Sequence, residues 1–164
     1  MNETIAIATD FRVDSLVTLQ QAMMRESAPV KVILICGIEL SGSISQLLFN
    51  SPERTIRNLK NPEFTEFLSV ISNRYESMIT ELVIKPFYGV NSNAARAFVS
   101  ANNIDRVYAA SDYRLQPPVN GFDPTTLFTG SGVPVVQVPV ASSEGSVYQQ
   151  LSALLNRNRQ YKPG

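Results

Sequence analysis

The residue types that most often carry enzymatic chemistry are nearly absent from this chain. It has no histidine and a single cysteine, Cys36, so Ser-His-Asp relays, Cys-His pairs and the common zinc sites are excluded together. Ser41-Gly42-Ser43 offers hydroxyls without a base to activate them and reads as a turn. Asp112, Asp123 and Glu144 lack the spacing of a calcium loop or of a carboxylate pair. Cys36, inside an apolar run, reads as an inert core thiol. Arg54, Arg57 and Lys60 form a small basic ridge that reads as a solvated face. Arg157, Arg159 and Lys162 suit a helix C-terminus without any partner. No metal site is expected.

Composition narrows the partners. Fourteen Lys and Arg balance fourteen Asp and Glu, so no overall field attracts nucleic acid or an anionic membrane. The 164 residues, 44% hydrophobic and 17% charged, suit one globular domain with a short appendage rather than a disordered chain. Met1-Asn2-Glu3 does not resemble a secretory signal, and no run approaches the ~20 apolar residues of a membrane helix. A lone thiol gives no sign of an oxidising compartment, and a cytoplasmic protein is the expectation.

Five short apolar, β-branched runs are predicted as strands: 4–9, 30–38, 79–87, 106–110 and 133–140. Between the first two, Leu16, Leu19 and Met23 fall on one helical face while Gln20, Gln21 and Arg25 point away, and Asp10 or Asp14 can cap the first turn. Residues 41–60 are the least regular, with Ser51-Pro52 read as a break. Asn61-Pro62-Glu63 opens a helix carrying Phe64, Phe67, Leu68, Ile71 and Tyr75. Asn91 caps another through Ala94, Phe98 and Ala101, and Asp123-Pro124 starts a short one ended by Gly130 and Gly132. Pro86 places the third strand at a sheet edge. Alternating strands and helices predict βαβ crossovers and a parallel sheet covered on both faces. Val147, Leu151, Leu154 and Leu155 predict a C-terminal helix after a Ser-Ser-Glu-Gly linker, dividing the chain into a domain over 1–140 and a helical extension over 141–164.

Four fragments, in order, carry a family likeness. Ile5-Ala6-Ile7-Ala8-Thr9-Asp10-Phe11 with Asp14-Ser15-Leu16 resembles the opening of universal stress proteins. Leu34-Ile35-Cys36-Gly37-Ile38-Glu39, Asp105 to Ser111, and Ser131 to Val138 are similar to that family's second, fourth and last strands. The resemblance covers residues 4–140, leaving out 41–60 and the tail. It implies an open five-stranded parallel sheet of order 3-2-1-4-5, adenine nucleotide alpha hydrolase-like. It also implies a homodimer through the last strand, here Val135, Val136, Gln137 and Val138; an apolar edge strand invites such pairing.

ATP-binding members of that family carry Gly-x2-Gly-x9-Gly-Ser/Thr after the fourth strand, whose backbone amides cradle phosphates. Here the first two glycine positions become Ala110 and Tyr113, and the third falls on Gly121, followed by Phe122 rather than a hydroxyl. Pro117 and Pro118 remove backbone donors, and Asp112 adds negative charge where a triphosphate would lie. The chain is therefore not expected to hold ATP in the family manner, and no cofactor is expected. Asp10 matches the family's aspartate near the nucleotide and is either that contact or a helix cap. Gly37 matches the small position beside the base and serves either binding or packing. Together with Ser111, Tyr113 and Gly121, these two are the residues a ligand would meet.

The expectation is a non-catalytic dimer of universal-stress type acting by protein–protein contacts in a stress response. The alternative is a binder of a nucleotide or another small metabolite in a modified crevice at the carboxyl ends of strands one and four, with Tyr113 or Phe122 stacking on a base. A nucleotide-hydrolysing enzyme fits the missing histidines and glycines least.

Overall fold

A computed structural model of the chain describes residues 2–40 and 51–141. The expectations for Ser41-Gly42-Ser43, Glu144, the C-terminal helix and its basic end lie outside the described residues. Among the described residues, six strands and five helices follow one another as β1 (Glu3–Ala8), α1 (Val13–Arg25), β2 (Val30–Ile38), α2 (Pro52–Leu59), α3 (Pro62–Arg74), β3 (Ile79–Phe87), α4 (Ser92–Ala101), β4 (Arg106–Ala110), β5 (Gly121–Phe122), α5 (Thr125–Thr129) and β6 (Val135–Val138).

The five longer strands are parallel and lie in the order β3-β2-β1-β4-β6, the expected order once the two-residue β5 takes a number of its own. The strands alternate faces. Ile5, Ile7, Val32, Leu34, Cys36 and Tyr108 pack beneath α1 and α3, while Ala6, Ile33, Ile35 and Val107 pack against α4 and α5. On the second face Phe87 meets Phe98 edge-on at 5.5 Å and Phe128 at 4.9 Å.

At the amino ends of the strands, Arg106 reaches Glu3 at 2.6 Å and binds both carboxylate oxygens of Glu26. This clasps the starts of β1 and β4 to the end of α1. Asp105 lengthens the same ladder: its carboxylate accepts from the Thr4 amide at 2.8 Å, and its own amide donates to the Thr4 carbonyl at 2.8 Å.

Several sequence expectations need correction. The last strand covers Val135–Val138 rather than 133–140, because Pro134 and Pro139 bracket the ladder without amide hydrogens. Ser51-Pro52 begins α2 instead of breaking the chain: the Ser51 hydroxyl accepts from the Arg54 amide at 3.2 Å, with proline in the first turn. Neither Asp10 nor Asp14 caps α1, whose leading residue, Arg12, supplies no side-chain cap. Gln20 and Gln21 are buried, not solvent-facing; α1 packs against β1, β4, β6 and α3 and buries every residue except Asp14, Met24 and Arg25. Arg25 folds back onto the Gln21 carbonyl at 2.9 Å.

Candidate functional site

In an open parallel sheet the ligand crevice lies beyond the carboxyl ends of the strands, where the strand order reverses. Here that point is the end of β1, between β2 and β4. Asp10 stands two residues past β1 and is only 4% exposed. Its Oδ1 accepts from the Arg12 amide at 3.0 Å. Phe11 takes a positive φ of 61°, strained for a bulky residue, and is held from several sides. Its amide donates to Thr9 Oγ1 at 3.1 Å, and its carbonyl accepts from Asn61 Nδ2 at 2.9 Å. Its ring lies 5.4 Å from that of Phe64. Asn61 also caps α3, accepting from the Phe64 amide at 2.9 Å, so one side chain fixes both the helix and the turn beside Asp10.

The segment 111–122, leaving β4, runs back over this crevice. Asp112 ties its start to the far side of the sheet, accepting from the Val140 and Ala141 amides at 2.6 and 2.9 Å. Tyr113 donates its hydroxyl to Asp10 Oδ2 at 2.6 Å, and the Gln116 amide donates to the same oxygen at 2.9 Å. The Gly121 amide then closes a turn onto the Pro118 carbonyl at 2.8 Å, with Asn120 at a φ of 65°. Beyond the turn, β5 pairs antiparallel with the last residues of β2, Gly37 opposite Phe122 and Ile38 opposite Gly121. Gly37 also pairs with Phe87 of β3, and β1 pairs with β2 only as far as Ile35. A strand has two edges, so β5 takes the one that β1 has vacated.

Gly37 is thereby explained as a packing residue: a β-carbon there would sit 2.4 Å from the Phe122 carbonyl oxygen. Gly121, matched by resemblance to a phosphate-loop glycine, lies in β5. Ser111 is apart from the group; its amide and hydroxyl both donate to the Val138 carbonyl, at 2.8 and 3.2 Å, facing β6. Of the five residues singled out from sequence, Asp10 and Tyr113 therefore touch, Gly37 and Gly121 flank the same closure, and Ser111 faces away. Gln116 was missed because a backbone amide leaves no mark in a sequence. Asn120-Gly121 is a turn signal that was available.

Burial, followed by the hydrogen bond to Asp10, raises the Tyr113 hydroxyl pKa above its ordinary value. It therefore acts as a hydrogen-bond donor, not as a base. Burial likewise pushes the Cys36 thiol up to about 12, and its Sγ lies 3.6 Å from the Lys85 carbonyl oxygen. Such a thiol is not a nucleophile at neutral pH. Among the described residues, no three His, Cys, Asp or Glu side chains gather as metal ligands, and no helix is long and apolar enough to cross a membrane.

Among the described residues the crevice keeps a cleft of about 60 Å³ bordered by Ala8, Ile35, Ala110, Tyr113, Leu115 and Asp123. Sites for small organic ligands are commonly ~300–1,000 Å³. A second hollow, of about 270 Å³, is lined by Arg12, Asp14, Tyr113, Gln116 and Val140.

No protein-family model matches the chain, and no curated protein matches it. Solved structures do. A universal stress protein from Burkholderia pseudomallei is 10% identical, with a TM-score of 0.49 over 84% of this chain and 96% of its own. A universal stress protein in complex with cAMP is 13% identical, with a TM-score of 0.47 over 84% and 97%. The universal stress protein UspA from Lactobacillus plantarum is 12% identical, with a TM-score of 0.46 over 83% and 97%. The fold assignment stands on the strand order itself: five parallel strands ordered as the resemblance implied, with helices on both faces.

Proposed function

We propose that this chain is a non-catalytic protein of universal-stress type that does not hold ATP in the family manner. It acts through protein contacts in a stress response, as a homodimer joined along the outer edge of β6. One observation carries the reading: the carboxylate that would face a nucleotide is already occupied by the chain's own Tyr113 hydroxyl and Gln116 amide. The loss of loop glycines at Ala110 and Tyr113 and the prolines at 117 and 118 point the same way. Titration calorimetry with magnesium-ATP should give no heat of binding up to millimolar ligand; micromolar affinity overturns the reading.

A second reading, a binder of a nucleotide or other small metabolite, is favoured by the hollow of about 270 Å³ where Arg12, Asp14, Tyr113 and Gln116 supply polar groups. A thermal-shift screen over nucleotides and common metabolites separates the two. A ligand at a hundred times its dissociation constant adds about 2.7 kcal/mol, which moves the midpoint by several degrees. A screen without any stabilised hit dismisses this second reading.

A further inference from the structure

We infer that residues 111–122 form a releasable strap over the crevice, latched by the Tyr113–Asp10 hydrogen bond and seated by Gly37, and that this strap opens without unfolding the sheet. This inference takes up the closed crevice of the reading above and adds its regulation. The strap is held by local bonds: Ser111 on the Val138 carbonyl, Asp112 on the Val140 and Ala141 amides, Tyr113 and Gln116 on one oxygen of Asp10, the Asn120 carbonyl on the Glu39 amide, and a two-residue strand on β2. Between Asp112 and the turn at Pro118 the chain has no regular secondary structure, and Arg114, Gln116, Pro117 and Val119 are exposed. The sheet beneath completes its own ladders without the strap: β1 pairs with β2 and β4, and β4 with β6. The strap can therefore leave at the cost of these local bonds, of the packing of Tyr113 on the first core face and of the packing of Phe122 on the second, where its ring lies 6.2 Å from that of Phe87.

Two substitutions loosen the strap from opposite ends. Tyr113→Phe removes the latch and keeps the ring. Gly37→Ala places a methyl group against the Phe122 carbonyl and unseats β5. The sequence supplies a reporter, because Arg114 is the only lysine or arginine between Arg106 and Arg157. Limited trypsin digestion of the full chain, followed by mass spectrometry, gives the rate of cleavage after Arg114. Cleavage of a transiently open segment tracks its open population. Loss of a hydrogen bond to a charged group shifts such a population by about tenfold or more.

Cleavage after Arg114 should accelerate about tenfold in Tyr113→Phe and at least as much in Gly37→Ala. Cleavage within α1 and β2, after Arg25 and Lys31, should stay slow. The exchange rate of the Gln116 amide, followed by NMR, should rise in parallel in Tyr113→Phe, which keeps the reporter informative if Gly37→Ala folds poorly. Equal Arg114 cleavage in the wild type and Tyr113→Phe overturns the inference. So does wild-type cleavage that appears only where urea unfolds the whole molecule. These outcomes are independent of the calorimetric result, since a closed crevice that never opens leaves ATP unbound and sinks only the strap.

Discussion

The pKa of Cys36 sets a pH window for the stability of the fold. Its thiol ordinarily titrates near 9 and is pushed up to about 12 by burial. The raised folded-state value means that the protonated form is favoured on folding. The stability that the buried thiol contributes is thus fully present below about pH 9 and is lost as pH climbs toward 12, by at most ~1.4 kcal/mol per pH unit. Tyr113, also raised from its ordinary value of 10.0, adds to the loss above pH 10. The urea midpoint should fall between pH 8 and pH 10.5, and Cys36→Ala should flatten the drop; an unchanged slope removes Cys36 as the cause. Since Cys36 is the single cysteine, a disulfide exchange reagent at pH 8 should label the native protein only at the rate of unfolding. These roles were partly legible. The family resemblance marked Asp10 and Tyr113, but their contact, across 103 positions of sequence, has no local signature.

For the elements, the legible part followed caps and alternation. Asn61-Pro62 and Asn91 announced α3 and α4, and apolar runs announced the five long strands. The same cap-then-proline signature at Ser51-Pro52 was passed over, because residues 52–59 carry few apolar positions to mark a buried face. β5 was illegible for another reason: two residues cannot show a period, and its pairing depends on the gap that β1 leaves beside β2. Asn61 connects an element to the site, since it caps α3 and holds the strained carbonyl of Phe11. Asn61→Ala should cost about 2 kcal/mol, the cap plus an orphaned carbonyl. Asn61→Asp keeps the acceptor but loses the donor and should recover only part of that, as read from denaturation midpoints. Full recovery would show that the link to Phe11 contributes nothing.

At the scale of the whole sheet, the described strands leave two edges, β3 and β6. On β6 the carbonyls of Pro134 and Val138 accept from Val107 and Ser111, so the even-numbered residues direct their backbone groups toward β4. The odd-numbered residues direct theirs outward, and Gln137 is exposed. Gln137→Pro removes an outward donor without touching the inner ladder, a position where edge strands tolerate proline. If the dimer forms here, light scattering should give twice the chain mass for the wild type and a monomer for Gln137→Pro, at a similar melting temperature. A monomeric wild type rejects the dimer. At the amino end of β4, Arg106→Ala should cost about 3 kcal/mol in denaturant titration, the lower range for breaking a pair whose acid, Glu26, stays largely buried.

The placement of β1 in the middle of the sheet has a consequence for biosynthesis. Its first neighbour, β2, arrives within thirty-odd residues, but its second, β4, begins at Arg106. On the ribosome, at roughly 5–20 residues per second, Ile5 and Ile7 thus present one bare flank for about 5–20 s before it is covered. Nascent fragments ending before Arg106 should be the forms that chaperones capture and that clump when released, whereas fragments completed through β6 should not.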